Sequence, residues 1–378
     1  MHNNLKPRAR DLGVPFDGTP GPHNCITDVL GIQVGHTTLI SGDGPLQVGT
    51  GPIRTGVTAI LPRGKESPNP VFAGWFSLNG NGEITGTTWV EESGFLEGPV
   101  MITNTHSVGI VRDAVIAWQL RTAQASSLNS YGDDFWSLPV VAETYDGYLN
   151  DINGFHVREE HVFAALDGAR PGPVAEGNVG GGTGMICYGF KGGIGTSSRV
   201  LDRQAGGYAL GVLAQCNFGR RPHLTIAGVP VGKELPGDMP GPIQQSAASG
   251  DAGSVIVVVA TNAPLLPHQL KRLARRVSMG LARTGSIAAN SSGDIFIAFS
   301  TANPTATTAP VAQIDILDNN AMNPLFDATI QATEESVINA LVAAETMIGR
   351  DHRCVIALPQ DSLQAALKKY NRLANNNP

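Results

Sequence analysis

The apolar run Val255-Ile256-Val257-Val258-Val259-Ala260 constrains the fold of this chain more than any other segment. Branched side chains without a polar interruption predict a buried strand, central to whatever sheet contains it. Gly253-Ser254 stands immediately before the run, and before that lies a spacer, Lys233 to Gly253, rich in Gly, Pro, Ser and Ala. The spacer follows neither a helical nor an alternating period, so it predicts an exposed loop and the one plausible chain break. A small hydroxyl residue therefore sits where a loose loop enters a buried strand. A cut at this junction would make Ser254 an N-terminus pinned by the strand behind it. Its Oγ could then attack, and a free α-amine with a pKa of about 7.7–8.0 could move protons near neutral pH. Taken alone, the segment reads more simply as an ordinary loop-to-strand entry, because Gly-Ser pairs commonly mark loops.

Of the 378 residues, 42% are hydrophobic and 15% charged, which supplies a large core and too little charge for a disordered chain. One domain spanning 1–378 is expected, since no internal repeat is found and the spacer need not divide domains. A net charge of −6 argues against a nucleic-acid partner. Arg272, Arg275 and Arg276 read as the outer face of an amphipathic helix. Cys25, Cys187, Cys216 and Cys354 have neither CxxC nor metal-ligand spacing. They predict free thiols, packed as small apolar residues, in a reducing cytoplasmic setting. The first ten residues lack an apolar signal region, and no window is long enough for a membrane-spanning helix.

Strands are predicted over Ile26 to Val34, Gly35 to Ile40, Gly56 to Leu61, Leu138 to Glu143, Tyr208 to Cys216, His223 to Val231 and Ile295 to Ser300. Helical spacing marks Ser107 to Leu120 and Glu159 to Leu166. It marks a further helix opened by Pro264, with Leu266, Leu270, Leu273, Val277 and Leu281 on one face, and another from Pro324 to about Ile348. The chain closes with Cys354 to Leu358 and a helix from Asp361. Asn79-Gly80-Asn81-Gly82-Glu83 is a turn signal, and Gly177 to Arg199 is dense in glycine. Strands with helices falling between groups of them predict two sheets with helical outer layers.

Several familiar sites fail in detail. Gly177-Asn178-Val179-Gly180-Gly181-Gly182-Thr183-Gly184-Met185 is followed by no Gly-Lys-Ser/Thr and contains no GxGxxG, so close backbone packing explains it better than a nucleotide. His156 and His161 flank Glu159-Glu160 with neither zinc-helix spacing, and they read as surface histidines. No GxSxG elbow occurs, and no histidine has a motif marking it as a catalytic base. No metal or organic cofactor is therefore expected. A hydrolase in this chain needs another way to activate a nucleophile, and a terminal serine provides one. Asn217, directly after the Tyr208 to Cys216 strand, suits an oxyanion donor, although Asn217-Phe218-Gly219 is equally a turn. Ser292 and Asp294 set a hydroxyl and a carboxylate two residues apart, able to relay protons, with an Asx-capped turn as the simpler local explanation.

These pieces, in this order, resemble one family: the self-processing aminopeptidases that include L-aminopeptidase/D-amidase-esterases and β-peptidyl aminopeptidases. The likeness runs through Ile26-Thr27-Asp28-Val29, Val34-Gly35-His36-Thr37 and Pro139-Val140-Val141-Ala142-Glu143-Thr144. It continues through the glycine tract to Met185, Gly192-Gly193-Ile194-Gly195-Thr196-Ser197-Ser198-Arg199, Ala263 to Leu270 and Met322-Asn323-Pro324-Leu325-Phe326, and so covers nearly the whole chain. The resemblance implies an α/β fold, a four-layer α-β-β-α sandwich like that of N-terminal nucleophile hydrolases but with different connectivity. It implies autoproteolysis between Gly253 and Ser254, giving chains 1–253 and 254–378 that stay associated, and a homotetramer.

In the family's terms Ser254 is the nucleophile, Asn217 the oxyanion donor, Ser292 a second serine that helps activate it, and Tyr145 an active-site tyrosine. Glu143 matches a carboxylate suited to hold the substrate's free amine, and Trp136 is a candidate for the wall of the substrate pocket. Asp294 stands where the family pattern has Glu, which keeps the charge and shortens the reach by one methylene. The expected activity is removal of an N-terminal β-, D- or L-residue from short peptides, amides or esters through an acyl-enzyme. The alternatives are a self-processing acyltransferase of ornithine acetyltransferase type, which would need Thr at the junction, and a non-catalytic scaffold.

Overall fold

The structure, a computed structural model, describes residues 6–122, 130–131, 134–235 and 253–374. Most of the predicted spacer, 236–252, lies outside the described residues. Two large sheets form the centre. One has four strands in the order Gln33–Ser41, Ile53–Leu61, Val100–Asn104, Val140–Thr144, antiparallel except for its last pair. The other has six, in the order Gly193–Val200, Ala209–Asn217, Ser254–Thr261, Gly293–Ser300, Val71–Ser77, Phe95–Leu96, with one parallel pair, Ser254–Thr261 beside Gly293–Ser300.

The apolar run explains the layering. Successive side chains of a strand point to opposite faces. Ile256 and Val258 enter the core between the sheets with Ile60, Ile102 and Ile297. Val255, Val257 and Val259 enter the opposite core, under Leu270, Leu273 and Val277 of the helix Pro267–Arg283 and Val337 and Leu341 of the helix Asn323–Ala343. Across the four-stranded sheet, Val57, Met101 and Val141 pack on Val111, Val115 and Trp118 of Val108–Arg121 and on Val162 of Glu159–Asp167. The result is the expected α-β-β-α sandwich, and the strand is apolar from Val255 to Ala260 because both its faces are covered.

Helix Asn323–Ala343 lies directly on Gly193–Val200. A Cβ on Gly195 would fall 1.9 Å from the Ser336 carbonyl oxygen, so only glycine fits there. The segment from Lys6 is bound to the same helix: Glu335 pairs with Arg10 at 2.7 Å and with Arg199 at 2.8 Å, and Asn339 Oδ1 accepts from Ala9 N at 3.1 Å. No helix among the described residues is long and apolar enough to cross a membrane.

Some predicted elements change. Ile26–Asp28 is a 3-10 turn, and the first strand begins only at Gln33. His223 to Val231 is not a strand: a 3-10 turn at Arg221–His223 leads through a tight Ile226–Val229 pairing into a helical turn, Val231–Glu234. Its apolar residues Leu224, Ile226 and Val229 are buried by packing into the core instead of by sheet pairing. The helix predicted from Pro324 to Ile348 ends at Ala343, and that opened by Pro264 begins at Pro267, a proline in the first helical position. Strands Val71–Ser77 and Val100–Asn104 fall outside the predicted elements. Cys354 is exposed, whereas Cys25, Cys187 and Cys216 are buried. His156 is largely buried against Asp151 at 2.9 Å instead of lying in solvent.

Candidate active site

The parallel pair at the middle of the six-stranded sheet brings three segments to one end. Ser254 opens its strand between Asn217, its antiparallel partner, and Gly293, its parallel partner. Ser254 is buried, and its Oγ donates to the Gly253 carbonyl at 2.8 Å. That carbonyl also accepts from Gly293 N at 3.2 Å. A hydroxyl and a backbone N–H thus converge on the peptide unit that precedes the buried strand.

Asn217 ends the neighbouring strand, and both ends of its amide are held. Oδ1 accepts from Ile186 N at 2.8 Å, and Nδ2 donates to the Tyr145 carbonyl at 2.9 Å. A backbone N–H can only donate and a carbonyl can only accept, so the orientation of the amide is fixed, and one N–H of Nδ2 has no partner among the described residues. The Ile186 corner is secured by Lys191, whose buried Nζ donates to Met185 O at 2.7 Å and Gly192 O at 2.9 Å. Burial pushes the Lys191 ammonium down to about 7. Of Tyr145, the backbone carbonyl makes the contact with Asn217, while its side chain is exposed and lies over Gly147.

On the other side of Ser254, Ser292 Oγ donates to Asp294 Oδ1 at 2.5 Å, and both residues are buried. The shorter aspartate therefore reaches this serine. Asp294 N donates to Asn79 Oδ1 at 2.7 Å, which ties the pair to the turn predicted at residues 79–83.

Glu143 lies on the facing sheet, buried near the end of Val140–Thr144. Its Oε1 accepts from Glu83 N at 3.0 Å and its Oε2 from the Thr105 hydroxyl. Burial pushes its carboxyl above the ordinary glutamate range, and the Thr105 and Glu83 hydrogen bonds offset only part of that shift. Trp136 stands apart from these contacts, edge-on to Trp89 at 5.7 Å between ring centroids.

Ser254, Asn217, Ser292 and Asp294 thus cluster at one sheet end, with Tyr145 joined through its backbone and Glu143 approaching from the other sheet. Sequence reasoning passed over Gly293 N, Ile186 N, Glu83 N, Thr105 and Lys191. Three of these act through backbone N–H groups, which leave no side-chain signature, and a lone lysine among glycines carries no pattern. The glycine tract packs closely, as expected: a Cβ on Gly181 would fall 2.7 Å from the Ile102 carbonyl oxygen.

A family model described as peptidase family S58 matches residues 24–355. The beta-peptidyl aminopeptidase BapA of Sphingosinicella microcystinivorans is 54% identical over 97% of this chain and 93% of its own. The L-aminopeptidase D-Ala-esterase/amidase of Ochrobactrum anthropi, described as a prototype of the serine aminopeptidases and a new variant of the Ntn hydrolase fold, superposes with a TM-score of 0.89 at 49% identity, covering 98% of this chain and all of that one. A beta-aminopeptidase of a Burkholderia species gives a TM-score of 0.86 at 47% identity, again over 98% of this chain and the whole of its own.

Proposed function

The chain belongs to peptidase family S58, and on that premise we propose that it activates itself by cleavage between Gly253 and Ser254 and then removes N-terminal residues from short peptides, amides and esters. It is a serine aminopeptidase with the Ntn-hydrolase fold, a reading its relatives favour over an acyltransferase or a scaffold. The observation that carries self-activation is the convergence of Ser254 Oγ and Gly293 N–H on the Gly253 carbonyl. In self-cleavage Oγ attacks the Gly253 carbonyl carbon while the Gly293 N–H faces the developing oxyanion. The C–N bond breaks, the Oγ proton passes to the departing nitrogen, and water hydrolyses the ester. That leaves Gly253 with a carboxylate and Ser254 with a free amine.

In turnover the α-amine of Ser254 takes the Oγ proton as Oγ attacks the substrate carbonyl, and returns it to the leaving amine. Water then releases the acyl group. The spare N–H of Asn217 is suited to the oxyanion, and Ser292 with Asp294 to orienting the nucleophile. Glu143 holds the substrate's ammonium. The resemblance further supports association of fragments 1–253 and 254–378 as one domain, a tetramer, and a cytoplasmic site of action. The β-peptidyl, β-amino and D-alanyl substrates in the relatives' descriptions support a substrate range extending beyond L-peptides.

Glu143→Gln tests the exopeptidase role. Loss of a charge-assisted hydrogen bond of about 1.5–3 kcal/mol predicts a fall in kcat/KM for free-amine substrates of roughly 10- to 100-fold. Self-cleavage, read from the intact mass, stays at the wild-type rate. Equal losses in both would remove Glu143 from amine binding.

The raised pKa gives a second expectation. Glu143 must be ionised to pair with an ammonium, so kcat/KM for free-amine substrates falls as pH drops through the Glu143 pKa, which lies above the ordinary glutamate range. The Ser254 α-amine contributes an acid limb of its own in both proteins, so Glu143→Gln is expected to lose only the additional part of the fall that Glu143 causes. A profile of unchanged shape in the variant would assign the whole limb to other groups.

A further inference from the structure

We propose that the turn Asn79–Glu83 is a spacer that sets the distance from the amine-holding carboxylate to the nucleophile, and thereby discriminates between α-amino and β-amino residues at the substrate's N-terminus. The proposal rests on the roles of Glu143 and Ser254 given above. One side of the turn grips the Ser292–Asp294 loop. Leu78 N donates to Asp294 O at 2.9 Å, Asn79 Nδ2 to Ala289 O at 3.0 Å and Asn81 Nδ2 to Ser291 O at 2.7 Å, in addition to the Asp294 N–Asn79 bond. Its other end donates Glu83 N–H to Glu143 Oε1.

Between these two ends Gly82 lies against Gly293. A Cβ on Gly82 would stand 3.1 Å from Gly293 Cα and 3.3 Å from Glu143 Oε1, and a Cβ on Gly293 would stand 2.7 Å from Gly82 Cα. Gly293 in turn pairs with Ser254. From carboxylate to nucleophile the path is Glu143, Glu83, Gly82, Gly293, Ser254, and its middle is two glycine backbones in contact. Close-packed backbone does not compress, so the separation is fixed. A β-residue adds one backbone bond of about 1.5 Å between amine and carbonyl. A misplacement of about 1 Å at a reacting centre costs on the order of 100-fold, so a fixed spacer of this kind discriminates the two lengths.

Gly82 does not occupy the left-handed region, so alanine suits its backbone, and the added methyl would wedge Glu143 away from Gly293 by a few tenths of an ångström. Gly80 is the control, because a Cβ there meets nothing within 4 Å. The experiment measures kcat/KM for β-alanyl and L-alanyl p-nitroanilides with the full chain, using wild type, Gly82→Ala, Gly80→Ala and Glu143→Gln. Gly82→Ala is expected to raise the β-to-α ratio at least about threefold, and Gly80→Ala to leave it unchanged. An unchanged ratio in Gly82→Ala, or an equal shift in Gly80→Ala, overturns the proposal. Should Gly82→Ala fail to fold, Asn81→Ala loosens the turn from its exposed side; the ratio should then move towards one, and a wild-type ratio overturns the proposal. Glu143→Gln separates the two levels. If it leaves free-amine substrates unaffected, the amine-binding role fails and the spacer with it; if it impairs them while Gly82→Ala is silent, the spacer alone fails.

Discussion

Ser254→Ala is expected to remain a single uncut chain of 378 residues and to lose essentially all turnover, roughly a millionfold, the scale seen when a hydrolase loses its nucleophile. On the proposed mechanism the loss is compound, because the same oxygen would serve self-cleavage and catalysis and because an uncut chain has no α-amine at this position. Intact-mass spectrometry of fresh wild type and variant, followed by a peptide-anilide assay, separates the parts. Wild type should give two masses that place the cut between Gly253 and Ser254. An uncut wild type, or an active Ser254→Ala, would remove the self-generated nucleophile from the mechanism. The structural reason for the expectation is local: Ser254 Oγ lies 2.8 Å from the Gly253 carbonyl oxygen, and the strand behind it prevents the hydroxyl from wandering.

Asn217→Ala should lower kcat by about 100- to 1000-fold, corresponding to the ~3–4 kcal/mol that one oxyanion donor contributes, with a much smaller change in KM. The variant also strips Ile186 N and the Tyr145 carbonyl of their partner. Both groups are part-buried, so each costs at most about 1–3 kcal/mol when orphaned, and the melting temperature should fall as well. Measuring kcat well below the melting transition distinguishes the two effects. A kcat within about tenfold of wild type in a folded, processed variant would assign the oxyanion to other donors.

The buried Ser254–Thr261 strand was legible because six apolar residues in a row admit little else. The helix Pro267–Arg283 was legible because its leucines recur on one face. Gly193–Val200 was not, although it is just as buried. The helix lying on it leaves room only for glycine at residue 195, and Thr196, Ser197 and Ser198 turn their hydroxyls to Val212 O, Ala332 O and Asp28 Oδ2, each at 2.6 Å. A strand stabilised in this way has no hydrophobic alternation to read. At the site, Ser254, Asn217, Ser292 and Asp294 could be named because they are reactive side chains at the ends of predicted strands. That Asp294 reaches Ser292 despite its missing methylene depends on a close approach between residues two apart, which spacing alone does not give. The role of residues 79–83 was invisible for a different reason: a turn signal says that the chain reverses, not what it reverses against.

The strand order of the six-stranded sheet makes the two segments of the chain mutually dependent. Ser254–Thr261 and Gly293–Ser300 lie side by side, with Ala209–Asn217 zipped to one flank and Val71–Ser77 to the other. Once severed before Ser254, neither polypeptide would own a complete sheet, and each would lose the cover of its apolar faces on leaving the other. Unfolding the cut molecule would then be a one-way passage. Reassembly would become an encounter of two separate molecules, dependent on concentration, where the intact precursor needed only to close a loop. Longevity of the mature protein would then be set by the height of its unfolding barrier and not by an equilibrium, and the intact chain would be the form that can fold from scratch.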